Sequence, residues 1–410
     1  MKQKIAKKIK LLALLLSTAF LYSCSEDDYS YEKGTFIPAI DATNLPASFK
    51  PITMFADDED PKFMYDKSDR WFRVNQLVQA VIKSKNEVQI SLYSPVGLSD
   101  VKVYAKIPNY EKRFVLYHFS YIPAFHRSIH TIPLTEGTHD YELENGNAVT
   151  IEQIEGFANG SIEFSVESSD PLFQKLKKIK SQHLVQFHDQ YHINEYGKFL
   201  PMNPVLAKEA ITLMINFSYA LSHPIYYETF MNFDRFKREQ AERAGTEVIG
   251  AKDWHGNNAD ANGEYDYFTK QQIEKIYWDW LDSRTVYMAM VGGAAALGGG
   301  PLSSVWESTY VSSHWLGGVS VWSHEYGHHI GFGHSSNLAN GGEGGGQQEM
   351  MARFMEYLIH IGDLPYTDPE ILKTWTKTQY LNGKNYSKPV LKINKNNPFL
   401  LKYNGEGAWK

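Results

Sequence analysis

His324 and His328 stand four positions apart, with Glu325 directly after the first. On an α-helix, positions i and i+4 lie on one face, one turn apart. Two imidazoles placed there can take two corners of a tetrahedral Zn²⁺ site. Glu325 can then reach a water at that metal without ligating it, which makes it the candidate general base. Gly331 follows three residues past the second histidine. A glycine can take φ > 0 and end the helix sharply. The chain can then swing back and offer His334 as a third ligand. Three protein ligands leave one position open for water, which marks a catalytic site rather than a closed structural one. His-Glu-x-x-His arises by chance in roughly 4 % of shuffled chains of this composition, and adding Gly331 and His334 lowers that to roughly one in ten thousand. His329 points about 100° away around the helix and reads as structural.

A carboxylate oxygen is also an acceptable zinc ligand. His-Glu-x-x-His also resembles gluzincin-type sites, in which a later glutamate is the third ligand; that resemblance makes Glu349 and Glu343 rivals to His334. If His334 ligates, Glu349 reads as an outer partner or as a charge favoured by the start of its helix. Trp322, Tyr326 and Trp315 read as lining the core or a cleft. His183, His188 and His192 read as core or solvated residues, since no fixed carboxylate or turn accompanies them.

Positioning these groups takes a scaffold, and the period of the apolar residues outlines one. From 51 to 168 it is two, as in Glu87 to Leu92, Asp100 to Tyr104, Arg113 to Ile122, Ala148 to Ile154 and Ser161 to Val166. Short alternating runs separated by Gly, Asn and Pro predict an antiparallel β-sandwich. After Asp170-Pro171 the period turns helical. It predicts helices over Pro204–Leu221, Tyr227–Ala244, Thr269–Leu281 and 347–361, with Gly245 as a helix stop. Trp254 to Asp260 reads as a polar loop, and Thr285 to Val291 as a strand. The glycine-rich run Gly292 to Pro301 lacks the ending of a phosphate loop. It reads as a tight, close-packed loop or a loop of the cleft. The fold class expected is α+β: an N-terminal antiparallel β-sandwich (51–168), then a zincin-like, helix-rich metallopeptidase domain (169–410).

The pattern His-Glu-x-x-His-x-x-Gly-x-x-His resembles that of the metzincin clan of zinc endopeptidases. The resemblance covers eleven residues. It implies zinc ligands His324, His328 and His334, Glu325 as the base that activates water, and a twisted sheet upstream whose edge strand binds extended substrate. It also implies a methionine turn beneath the metal. Met350 and Met351 lie at a plausible distance, although they open the 347–361 helix. The rival resemblance is to gluzincin-type sites, including enhancin-like peptidases, and implies Glu349 as the third ligand.

Residues 1–10 carry five lysines and no acid, and a mostly apolar run, Leu11 to Leu21, follows. The layout is that of a signal peptide, too short to span a bilayer as a mature helix. Leu21-Tyr22-Ser23-Cys24 resembles a bacterial lipoprotein cleavage site, which implies removal of 1–23 and lipidation of Cys24. Ser25-Glu26-Asp27-Asp28 resembles the acidic tag that sends lipoproteins of Bacteroidetes-type bacteria to the outer cell surface. Residues 24–50 read as a tether.

Composition bounds the rest. The 410 residues are 43 % apolar and 14 % aromatic, enough to bury a full core. A single cysteine rules out an internal disulfide framework. The net charge is −6, and loss of the five lysines makes it more acidic still, which argues against nucleic-acid binding by counterion release. Taken together, a surface-exposed outer-membrane lipoprotein is expected, held in the membrane by its lipid. It would act as a zinc-dependent endopeptidase on extracellular proteins or glycoproteins. A surface binding or adhesion protein with a vestigial zinc site, and a zinc hydrolase of a non-peptide bond, are the alternatives.

Overall fold

The alternating runs become strands because every second side chain can leave water on one face of a sheet. The computed structural model describes residues 38–65, 70–108, 110–189, 192–194, 197–245, 253–282, 284–292, 296–299, 302–306, 316–339, 346–366 and 397–403. The segment read as a signal peptide, Cys24 and the acidic run after it, Trp315 and Glu343 lie outside the described residues. The fold is mixed α+β, with several antiparallel sheets and eight described helices.

In the first part the strands are β1 (Ile40–Asp41), β2 (Ile52–Thr53), β3 (Phe72–Arg73), β4 (Val78–Ser84), β5 (Glu87–Leu92), β6 (Leu98–Lys106), β7 (Phe114–Ile122), β8 (His126–Thr131), β9 (His139–Glu142), β10 (Ala148–Ile151) and β11 (Glu163–Ser168). One four-stranded sheet runs β1-β7-β6-β11 and another β2-β8-β5-β4. The second is antiparallel throughout; in the first, only β1 runs parallel to its neighbour. The His130 ring of β8 touches Phe119 and Tyr117 of β7 at centroid distances of 5.3 and 5.4 Å, so aromatic side chains join the two sheets. β9 and β10 form a separate ribbon.

The rest of the chain adds α1 (Pro171–Leu176), β12 (Leu184–Phe187), β13 (His192–Asn194), β14 (Gly197–Leu200), α2 (Pro204–Ser222), α3 (Pro224–Met231), α4 (Phe233–Ala244), β15 (His255–Ala259), β16 (Tyr265–Tyr267), α5 (Lys270–Leu281), β17 (Thr285–Gly292), β18 (Ala296–Gly299), β19 (Leu302–Trp306), α6 (Leu316–His329), α7 (Gln347–His360) and α8 (Pro398–Tyr403). β17 is central. It pairs along one side with β12 and β14, and along the other with β19, whose far side carries β18.

Several elements depart from the sequence reading. Tyr227–Ala244 is not one helix: Asn232 (φ −125°, ψ 44°) leaves helical geometry and separates α3 from α4. The polar stretch after Trp254 is not a loop but strand β15, because its backbone pairs with β16. The region after 171 also contains strands β12 to β14, too short for their period to show. Other local signals act as read. Thr269 and Gln272 make a capping box at the start of α5, and Gly245 closes α4 in the left-handed region at φ +66°.

The early strands also reach into the later half. β3 pairs with β12. Asp57 takes an ion pair from Lys208 of α2 at 2.7 Å, and the Tyr65 hydroxyl donates to the Met202 carbonyl at 2.7 Å. Arg70 and Glu59 form a buried ion pair beside them. Among the described residues no helix is long and apolar enough to cross a membrane.

Three buried imidazoles make the fold sensitive to acid. Burial pushes His126, His130 and His183 down to about 4. In the unfolded chain a histidine titrates near 6.5. The neutral form is favoured in the fold, so their contribution is complete above about pH 6.5 and is lost as pH falls towards 4, on the order of 3 kcal/mol for a fully buried group. The urea midpoint is therefore expected to drop steeply between pH 7 and pH 4.5. A midpoint flat over that range would contradict the burial of these rings.

Candidate metal centre

The site is built by one helix, the turn after it and one edge strand. α6 carries His324, Glu325 and His328, and lies against β18 and β19. It is anchored beneath by Tyr326, whose fully buried ring meets Phe217 of α2 edge-on at 5.3 Å. The Tyr326 hydroxyl lies 2.9 Å from His183 Nε2 and 3.1 Å from the Trp280 carbonyl. Ser323, buried, accepts a hydrogen bond from Gln347 at the head of α7. The helix cannot rotate without breaking these contacts, so the direction of its histidine face is fixed.

The helix ends as the spacing predicts. Gly331 has φ +105°, a region that a side chain would strain, and the Gly331 N–H donates to the His328 carbonyl at 3.0 Å. The reversal returns His334 to the helix face. His324, His328 and His334 form a cluster whose ligand atoms lie within 4.8 Å of one another. The His324 ring lies 4.6 Å from that of His328 and 5.3 Å from that of His334.

Two of these rings are oriented by backbone. His324 Nδ1 lies 2.7 Å from the Ala339 carbonyl, and His328 Nδ1 lies 2.6 Å from the Phe332 carbonyl. A carbonyl only accepts, so each Nδ1 carries the hydrogen and each Nε2 presents its lone pair. The two Nε2 atoms face each other at 3.1 Å. Gly327 makes the first of these bonds possible, since a Cβ there would sit 2.7 Å from Ala339 Cα. Burial, then the neighbouring His328, lowers His324 to about 4, and burial lowers His328, so both are neutral at physiological pH. Neutral, pre-aimed imidazoles suit a divalent transition-metal ion. The donor set therefore fits a metal that three histidines hold with a position left open.

Glu325 is buried at 5 % exposure, and burial pushes its carboxyl up to about 8. A dication beside it would favour the charged form. It lies against β18. A Cβ added to Gly298 would overlap the Glu325 carbonyl oxygen and come within 2.8 Å of Glu325 Oε2. Gly298→Ala is thus expected to destabilise the protein by about 1–3 kcal/mol, the usual cost of overpacking. A denaturation midpoint equal to wild type would mean that strand and helix do not touch there.

The remaining sequence candidates fall elsewhere. His329 stacks on Tyr326 at 5.4 Å and is not in the cluster. Glu349 sits on α7 between Lys237 and Arg353, with N···O distances of 3.9 and 3.8 Å. Met350 and Met351 are buried within α7, in helix rather than in a turn. Trp322 is core, and so is His183, whose Nε2 is 2.7 Å from the Trp280 carbonyl. The strand read over Thr285–Val291 is the central β17, while Ala296–Gly299 of the glycine-rich run forms β18, which has only β19 as a partner strand among the described residues. Sequence reasoning missed Gly298 and Gly327. Glycine at a spacer position of the motif was the one available sign of close approach. Protein-family models, curated proteins and solved structures give no match to this chain.

Proposed function

We propose that the chain is a zinc-dependent endopeptidase of metzincin type, carried on the bacterial cell surface. One observation carries the reading: three histidines converge around a common point, with a buried carboxyl on the residue next to the first of them. In this reading His324, His328 and His334 hold Zn²⁺. When bound, the metal supplies Lewis-acid polarisation of the scissile carbonyl and lowers the pKa of its water towards about 7. Glu325 takes the proton of the attacking water and returns it to the leaving amine. No covalent intermediate is required. The side of β18 that no described strand pairs, beside Glu325, would offer backbone groups to an extended substrate strand.

The two four-stranded sheets are read as a β-sandwich, and the seven-stranded sheet with α2 and α6 as a zincin-like domain. Cys24 is read as the lipid attachment point of an outer-membrane lipoprotein exposed to extracellular proteins or glycoproteins. The Cys24 reading rests on the sequence signals of residues 1–28. The ion pairs of Glu349 favour His334 over it as the third ligand.

The test is cleavage of a peptide library by purified protein with Zn²⁺, after chelation, and after zinc is restored. Cleavage that follows the metal supports the peptidase, and the cut sites give its specificity. A protein that holds one zinc per chain and cuts nothing contradicts it and moves the adhesion reading ahead.

A further inference from the structure

His334 is the weak member of the triad on structural grounds. His324 and His328 are half-buried on a helix anchored through Tyr326 and Ser323. His334 is exposed and lies on a turn, between half-buried Gly333 and exposed Ser335. A ligand that must be ordered on binding costs affinity, so what braces this turn matters.

The β15–β16 hairpin braces the turn. Asn257 of β15 accepts the Gly333 N–H through Oδ1 at 2.6 Å. Its Nδ2 donates to the Gly331 carbonyl at 3.1 Å. Its own carbonyl accepts the Ser335 hydroxyl at 2.7 Å. One residue thus holds the turn before His334 and both residues that flank it. Further along, the His255 N–H donates to Asn337 Oδ1 at 2.9 Å, and the Ser336 hydroxyl donates to the His255 carbonyl at 2.7 Å. The Asn337 amide donates to the Asp253 carbonyl at 3.1 Å.

The hairpin is itself stiff. Asp260 Oδ1 accepts the N–H groups of Asn262 and Glu264, both at 2.8 Å, which fixes its turn. The His255 ring stacks on Tyr265 at 4.0 Å. At its base Trp254 is buried, stacks on Phe233 at 3.5 Å and donates from Nε1 to the Phe230 carbonyl at 2.7 Å.

We propose that Asn257 is a positioning residue for the metal centre: it holds His334 in ligating register from outside the motif. The inference rests on the metal-site reading above. It couples the metal to α3 and α4 through the hairpin, with no contact between Asn257 and the ion.

The experiment is Zn²⁺ affinity by competition with a chromophoric chelator, on the purified full chain, with circular dichroism as the folding control. Asn257→Ala is expected to weaken zinc binding about 10–100-fold, the range for an outer-shell partner. Asn257→Asp keeps the acceptor for the Gly333 N–H and is expected to recover most of that loss. In a His334→Ala background the Asn257→Ala change should cause no further loss, because both act through one ligand. A merely structural role would leave the same fold-change in both backgrounds, and that outcome overturns the proposal. Wild-type affinity in a folded Asn257→Ala protein also overturns it. If Asn257→Ala does not fold, Ser335→Ala removes one arm of the same clamp and is read in the same way. If His324→Ala costs affinity and Asn257→Ala does not, only this proposal falls. If neither does, the metal-site reading falls with it.

Discussion

A Glu325→Gln protein is expected to hold zinc as wild type does and to hydrolyse peptides about 10²–10⁴-fold more slowly, the span attributed to general acid–base catalysis. The amide has nearly the shape of the carboxyl, so the packing against Gly298 and β18 survives. What it loses is the ability to accept a proton. Glu325 also lies outside the histidine cluster, so metal affinity gives an internal control. Metal content and rate should therefore separate. Equal loss of zinc and of rate would mean that Glu325 is a ligand or a prop of the helix. An unchanged rate would mean that another group moves the proton. The same protein is also expected to be no less stable than wild type, because a buried carboxyl pushed up to about 8 is replaced by a neutral group.

His328→Ala is expected to weaken zinc binding by more than about 100-fold, beyond what an outer-shell partner usually costs. It removes one of the two Nε2 atoms that face each other and releases the Phe332 carbonyl that its Nδ1 engages. Zinc present at about 100 times its dissociation constant stabilises a protein by about 2.7 kcal/mol, so wild type should melt higher with metal than after chelation, whereas the variant should not respond. Glu349→Gln is the matched control. Its carboxylate is engaged by Lys237 and Arg353, and its loss should leave affinity unaltered. If instead Glu349→Gln loses the metal and His334→Ala keeps it, the third ligand is the glutamate.

How much of this was legible beforehand depended on how local each signal is. The histidine face of α6 and the turn at Gly331 are properties of eleven consecutive residues, and spacing alone describes them. The strands β5, β6 and β11 are similarly local, since polar and apolar residues alternate along much of their length, although β5 is buried on both faces. β12, β13 and β14 have three or four residues each and leave no measurable period. The strand character of β15 is a property of its pairing with β16, not of its composition. Asn257 was legible only as one polar residue in a polar run, because its partners lie more than seventy positions away. Gly298 has meaning only once Glu325 is known to lie against it.

Strand β3 has a consequence for the order in which the molecule can assemble. It is paired with β12, and Arg73 Nη1 donates to the Gln182 carbonyl 109 residues further along. A chain emerging from a pore therefore releases the border of its later sheet long before the strand that borders it exists. Until β12 arrives, Phe72 has no strand to lie beside, and the segment around it must wait. Long-range pairings of this kind close late and slow the search. The exposed interval is also when an unpaired edge can meet another chain. The short length of β3, two residues, keeps that early edge small. The histidine cluster lies further downstream still, so it forms against a sheet in which β3, a border strand, was synthesised first.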